Sequence, residues 1–130
     1  MFKDSKAFSG FSVDDLAAAK RFYGETLGLG VGDVPGMDGL MTLHIPESQD
    51  VLVYAKPDHA PATFTVLTFP VDDIDAAVDG LVERGVRIER YEQFEADDKG
   101  IVRGGGPLVA WFRDPAGNVL GVMQEDPAEG

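Results

Sequence analysis

Two stretches of the chain carry nearly the same order of hydrophobic and polar residues, FSVDDLAAA at 11–19 and FPVDDIDAA at 69–77. At a constant offset of 58, six of the nine positions are identical: Phe11/Phe69, Val13/Val71, Asp14/Asp72, Asp15/Asp73, Ala18/Ala76 and Ala19/Ala77. Up to each Asp-Asp pair, side chains alternate with a period of two, which predicts strands over 7–13 and 63–71. Beyond each pair the period becomes helical. Leu16, Ala19, Tyr23 and Leu27 form one stripe, and Ile74, Ala77, Leu81 and Val82 the other. One Asp of each pair is placed to cap its helix, because a short carboxylate accepts from the unbonded amides of the first turn. Both patterns stop at a glycine, Gly28 and Gly85, where left-handed backbone costs little.

Three strand-like runs follow each helix. The first set covers 29–34, 40–45 and 51–55, parted by the turn-rich PGMDG and PESQD; the second covers 86–91, 107–113 and 119–124, with DPAGN in the last hairpin. KPDHAPA (56–62) links the sets. The chain is thus predicted to be α+β, a single domain over 1–130 made of two βαβββ modules, 7–55 and 63–125. A single helix covers one face of a sheet, so the two modules are expected to combine, their curved mixed sheets enclosing a cleft.

Composition narrows the chemistry. The absence of Cys excludes disulfides, thiolate metal ligands and Cys nucleophiles. A net charge of -12 opposes nucleic-acid binding, which needs clustered Lys and Arg, and is read as a solubility feature, with attraction of cationic ligands as the alternative. No apolar run approaches the roughly 20 residues of a membrane span, and MFKDSKAFSG lacks the apolar stretch of a secretory signal. A cytoplasmic protein with no membrane partner is expected.

The segments VDDLAAAKRFYGETLGLGV, FPVDDIDAAVDGLVERGV and WFRDPAGNVLGVMQ together resemble the vicinal-oxygen-chelate superfamily, which includes glyoxalase I, bleomycin-resistance proteins and extradiol dioxygenases. The resemblance runs from about residue 7 to 125. It implies, for the metalloenzymes of that superfamily, one His, Glu or Gln ligand on the first and last strand of each module. Carried over by position, the first-strand ligands fall on Phe8 and Val66, and the ligand after the DPAGN turn on Gly121. Matching DVLVYAK to NVLGVMQ puts the fourth at Val53. None of these side chains can coordinate a cation, so no metal and no cofactor is expected.

What the resemblance then implies is a metal-independent small-molecule binding protein of the bleomycin-resistance type, a homodimer with its ligand in an apolar cleft. Alternatives on the same scaffold are a metal-dependent lyase, isomerase or dioxygenase, or a cofactor-free enzyme using His44 or a carboxylate. Strand alternation places Phe11, Val13, Phe69 and Val71 under the helices. Phe8, Ser12, Val53, Val66, Thr68 and Gly121 are assigned to the opposite, ligand-binding face, joined by either Trp111 or Phe112. His59 is expected in solvent, and His44 at an exposed edge or as a polar handle. Ser12 and Ser48 show no His-Asp partners in the sequence, and Glu89, Glu92 and Glu95 read as a solvated run. The non-periodic 91–107 segment, with Gly104, Gly105 and Gly106, reads as a flexible lid or a dimer-edge loop, with Phe94 or Arg103 reaching toward a bound ligand.

Overall fold

The computed structural model describes residues 1–104 and 106–125. It divides into two compact units at Pro61/Ala62. The first holds β1 (Gly10–Val13), α1 (Leu16–Arg21), a π-helical turn (Phe22–Thr26), β2 (Gly30–Asp33), β3 (Leu40–His44) and β4 (Val51–Ala55). The second holds β5 (Thr65–Pro70), α2 (Ile74–Glu83), β6 (Ile88–Glu89), β7 (Leu108–Arg113) and β8 (Val119–Gln124). Their sheets have the same topology, β1-β4-β3-β2 and β5-β8-β7-β6. In each, the first strand lies parallel to the last, and the remaining neighbours are antiparallel. Each unit is thus the βαβββ module that the repeated pattern predicts.

The caps form as the sequence reading requires. The Ala18 amide donates to Asp15 Oδ1 and the Ala76 amide to Asp73 Oδ1, both at 3.1 Å. Asp15 and Asp73 serve, and the exposed Asp14 and Asp72 do not. At α2 the Ile74 amide also donates to Gln124 Oε1 at 2.8 Å, which ties the start of the helix to the end of β8. Gly28 and Gly85 close the helical segments with φ of 76° and 83°, values a Cβ would strain.

Side-chain alternation sorts each sheet into a covered and an open face. In the first unit Phe11, Val13, Met41, Leu43, Val51 and Val53 are buried, and the Phe11 ring lies 5.9 Å from that of the fully buried Tyr23. In the second, α2 lies against β7 and β8 and sets Ile74, Val78 and Leu81 toward the buried Leu108, Ala110, Phe112, Leu120 and Val122. Val82, placed on the apolar stripe by spacing, is 56% exposed, and Val78 takes its place. The reason is the true stripe Ile74-Val78-Leu81, which keeps the four- and three-residue steps of one helix face. β6 shrinks to two residues, and 86–87 and 90–91 run on outside the ladder.

The DPAGN hairpin is closed by buried polar groups. Asp114 and Asn118 are 5% and 2% exposed. Asp114 accepts from the Asn118 amide at 2.8 Å and from its side-chain nitrogen at 3.0 Å, which satisfies polar atoms that burial would otherwise penalise. Removing a cap is expected to cost far less than removing core. Asp73→Ala should lower stability by about 0.5–2 kcal/mol, measured by denaturant unfolding, and a loss well above that would assign Asp73 a role beyond capping.

Candidate functional site

Strand register decides which sequence-assigned residues share a face. Trp111 pairs with Gly121, and Gly121 with Thr68. These three therefore stand together on the open face of the second sheet. Phe112 is 1% exposed and pairs with the buried Leu120 on the helix side, which resolves the Trp111/Phe112 alternative in favour of Trp111. A Cβ on Gly121 would lie 3.6 Å from Trp111 Cδ1, 3.6 Å from Thr68 Oγ1 and 3.4 Å from Thr65 Cγ2. Gly121 is thus the floor on which the indole rests, and it is itself buried.

Other assignments shift. The register of β5 slips between Thr65 and Leu67, so Val66 is the extra residue of a bulge. Two residues then oppose one, and alternation is reset. Thr65, rather than Val66, meets Gly121. Val53 pairs with Phe11 and is fully buried on the helix side, whereas Leu52, opposite Gly10, holds the place matching Gly121. The match of DVLVYAK to NVLGVMQ is one residue out. Phe8 precedes β1 and is 65% exposed. The fit to a metal fails in either register, since Leu52 and Thr65 do not complete a set of His and carboxylate donors any more than Val53 and Val66 do. Among the described residues no three His, Asp or Glu are grouped so as to hold a cation.

Ser12 stays on the open face of its sheet, but not alone. Its Oγ lies 2.7 Å from His59 Nδ1, so His59 is half-buried rather than solvated and the linker is fastened to β1. Proline spacing gives no hint of this pairing, which spans 47 residues. His44 is exposed at the end of β3, 3.2 Å from Asp50. Glu89, read as solvated, pairs with Arg113 at 3.2 Å on the open face.

An aromatic cluster covers the middle of that face. Tyr91 meets Trp111 edge-on, centroids 5.4 Å apart at 75°, and Phe94 lies over it at 5.2 Å and 33°. Phe94 remains 45% exposed. Beside it opens a hollow of about 460 Å³ lined in part by Phe94, Ile101, Val102 and Arg103. A larger hollow of about 600 Å³ beside α2 has charged Asp79, Glu83, Arg87 and Lys99 among its lining. The smaller hollow also has Gln93, Glu95 and Asp97 in its lining, so what suits an organic ligand on this side is the neighbouring cluster of Tyr91, Phe94 and Trp111 rings rather than an apolar lining.

The 91–104 segment is a fastened flap. Val102 and Val109 exchange backbone bonds at 2.8 and 3.2 Å, and Ile101 is fully buried. Asp97 accepts from the Lys99 and Ile101 amides, both at 2.9 Å, and from Arg103 at 2.7 Å. Arg103 also reaches Asp75 of α2 at 2.7 Å, so it points to the helix and not to a ligand. Burial raises the Asp97 carboxyl, but the bonds from Arg103, Ile101 and Lys99 outweigh it and hold the pKa below its ordinary value. Of the three glycines, Gly105 lies outside the described residues. Among the described residues no helix is long and apolar enough to cross a membrane.

Comparison with known proteins agrees with the fold. The model of the Glyoxalase/Bleomycin resistance protein/Dioxygenase superfamily matches residues 9–122. TnmS3, an antibiotic binding protein from Streptomyces sp. CB03234, is 30% identical, with 95% of this chain and 98% of that one covered and a TM-score of 0.65. A glyoxalase/bleomycin resistance protein from the same strain is 31% identical over 91% of this chain and 100% of its own, TM-score 0.58. A glyoxalase family protein from Enterococcus faecalis shares the fold at 22% identity, covering 95% and 99% of the two chains, TM-score 0.69. No curated protein matches the chain.

Two outcomes follow for the site. Gly121→Ala should be tolerated, whereas Gly121→Leu should overpack against Thr65, Thr68 and Trp111, cost about 1–3 kcal/mol, and shift the emission of Trp111, the sole tryptophan. An unshifted spectrum with unchanged stability would mean that the indole does not rest there. Asp97→Ala should cost about 1 kcal/mol at neutral pH. Because the folded pKa is depressed, the contribution of Asp97 is complete above the ordinary carboxylate value near 4. It fades as pH falls through the lower folded value, so the melting curves of the two proteins should converge in acid. A gap independent of pH would assign the effect to packing instead.

Proposed function

We propose, from the premise that this chain belongs to the Glyoxalase/Bleomycin resistance protein/Dioxygenase superfamily, that it binds an organic small molecule without a metal. The ligand lies on the open face of the second sheet, against Trp111 and Phe94, with Thr65 and Thr68 as polar contacts. The observation that carries this reading is the aromatic cluster over Gly121, built from the 91–104 segment, β7 and β8. A relative described as an antibiotic binding protein, at 30% identity over nearly the whole chain, supports it.

The metal-free half rests on donor chemistry. Dehydrating a divalent cation is repaid by several oxygen or nitrogen ligands, and the positions where the superfamily's metalloenzymes keep theirs carry Phe8, Gly121 and aliphatic or hydroxyl side chains here. Catalysis through a bound metal has no support in these residues.

Thermal-shift screening of aromatic small molecules should return binders that raise the melting temperature and quench Trp111, with the rise in melting temperature lost in Trp111→Ala. Elemental analysis should find no stoichiometric Zn, Ni, Fe or Mn, and a chelator should leave melting unchanged. A stoichiometric metal whose removal lowers stability overturns the metal-free reading. A binder that leaves Trp111 emission untouched moves the site elsewhere.

A further inference from the structure

Among the described residues, one side-chain polar atom is both buried and without a hydrogen-bond partner, the hydroxyl of Tyr91. It sits at the candidate site, since the Tyr91 ring meets Trp111 edge-on. Packing does not account for it. A phenylalanine would make the same ring contact, and an unsatisfied buried hydroxyl costs about 1–3 kcal/mol relative to one that is bonded. A buried donor left open in this way is satisfied when a bound molecule brings an acceptor.

The charges around it select which acceptor. Arg113 is paired with Glu89, and Arg103 with Asp75 and Asp97. An anionic ligand would therefore meet no uncommitted guanidinium from these two, in a chain of net charge -12. A neutral oxygen faces no such penalty. Phe94, tilted 33° from the indole at 5.2 Å, shows the kind of ring the face accepts. Resting on the small-molecule reading above, we infer that the Tyr91 hydroxyl is the specificity determinant of the site. It donates to a neutral carbonyl oxygen on a planar aromatic ligand stacked at Trp111.

The test compares two probes of similar shape, 2-acetylnaphthalene with a carbonyl oxygen and 2-ethylnaphthalene without one, titrated against the emission of Trp111. The wild type should bind the ketone roughly 3- to 10-fold more tightly than the alkyl compound, the worth of one net hydrogen bond. Tyr91→Phe should erase that preference by weakening the ketone alone. Its folding is safe by the same argument, since it deletes an unbonded hydroxyl, and its melting temperature should equal or exceed the wild type's. A ketone preference that persists in Tyr91→Phe, or equal binding of both probes by the wild type, overturns the assignment to Tyr91 while leaving the binding face intact. Emission unmoved by either probe overturns the binding face, and this inference with it.

Discussion

A four-stranded sheet has two faces, and each of these modules has one helical segment with which to cover them. Everything else in the molecule follows from how that shortage is met. Parallel pairing of the first strand with the last, β1 with β4 and β5 with β8, places the strand that leads into the helix at one edge. The connection then crosses over one face and buries it. The other face keeps side chains of intermediate exposure and is left for use.

In the second unit that use is legible because the open face is not uniformly polar. The small Gly121 lets the Trp111 indole lie close over β8, and the flap from 91 to 104 brings Phe94 onto it. The flap holds its place through Asp97, which closes its own turn and clasps Arg103, and through Arg103 and Lys99, which pair with acidic groups of α2. These pairs are largely exposed, and each contributes little singly. Their effect is to fix the geometry of an apolar surface.

The chain shares its scaffold with the metalloenzymes of its superfamily, yet the positions inferred for their ligands carry no set of His and carboxylate donors here. The strands that would present donors are present with their register, while the side chains at the inferred positions are aromatic, aliphatic, hydroxylic or absent. A fold supplies positions, and chemistry is decided by what stands in them.

The sequence by itself determined the repeat, the order of elements, a capping aspartate in each Asp-Asp pair, and the stops at Gly28 and Gly85. These depend on local periodicity and on residues a few places apart. It also determined that no cysteine chemistry occurs. The tertiary structure alone decided that Trp111 and not Phe112 faces the open side, because that choice depends on the pairing of β7 with β8. It decided that Leu52 and not Val53 corresponds to Gly121, since the parallel register is set between strands separated by a helix and two further strands. The bulge at Val66 reset an alternation that a period of two cannot foresee. The pairing of Ser12 with His59 and the meeting of Tyr91, Phe94 and Trp111 join residues whose sequence neighbourhoods carry no trace of one another. Local patterns report on the chain's own period, and contacts made across a fold are set by packing that no short stretch contains.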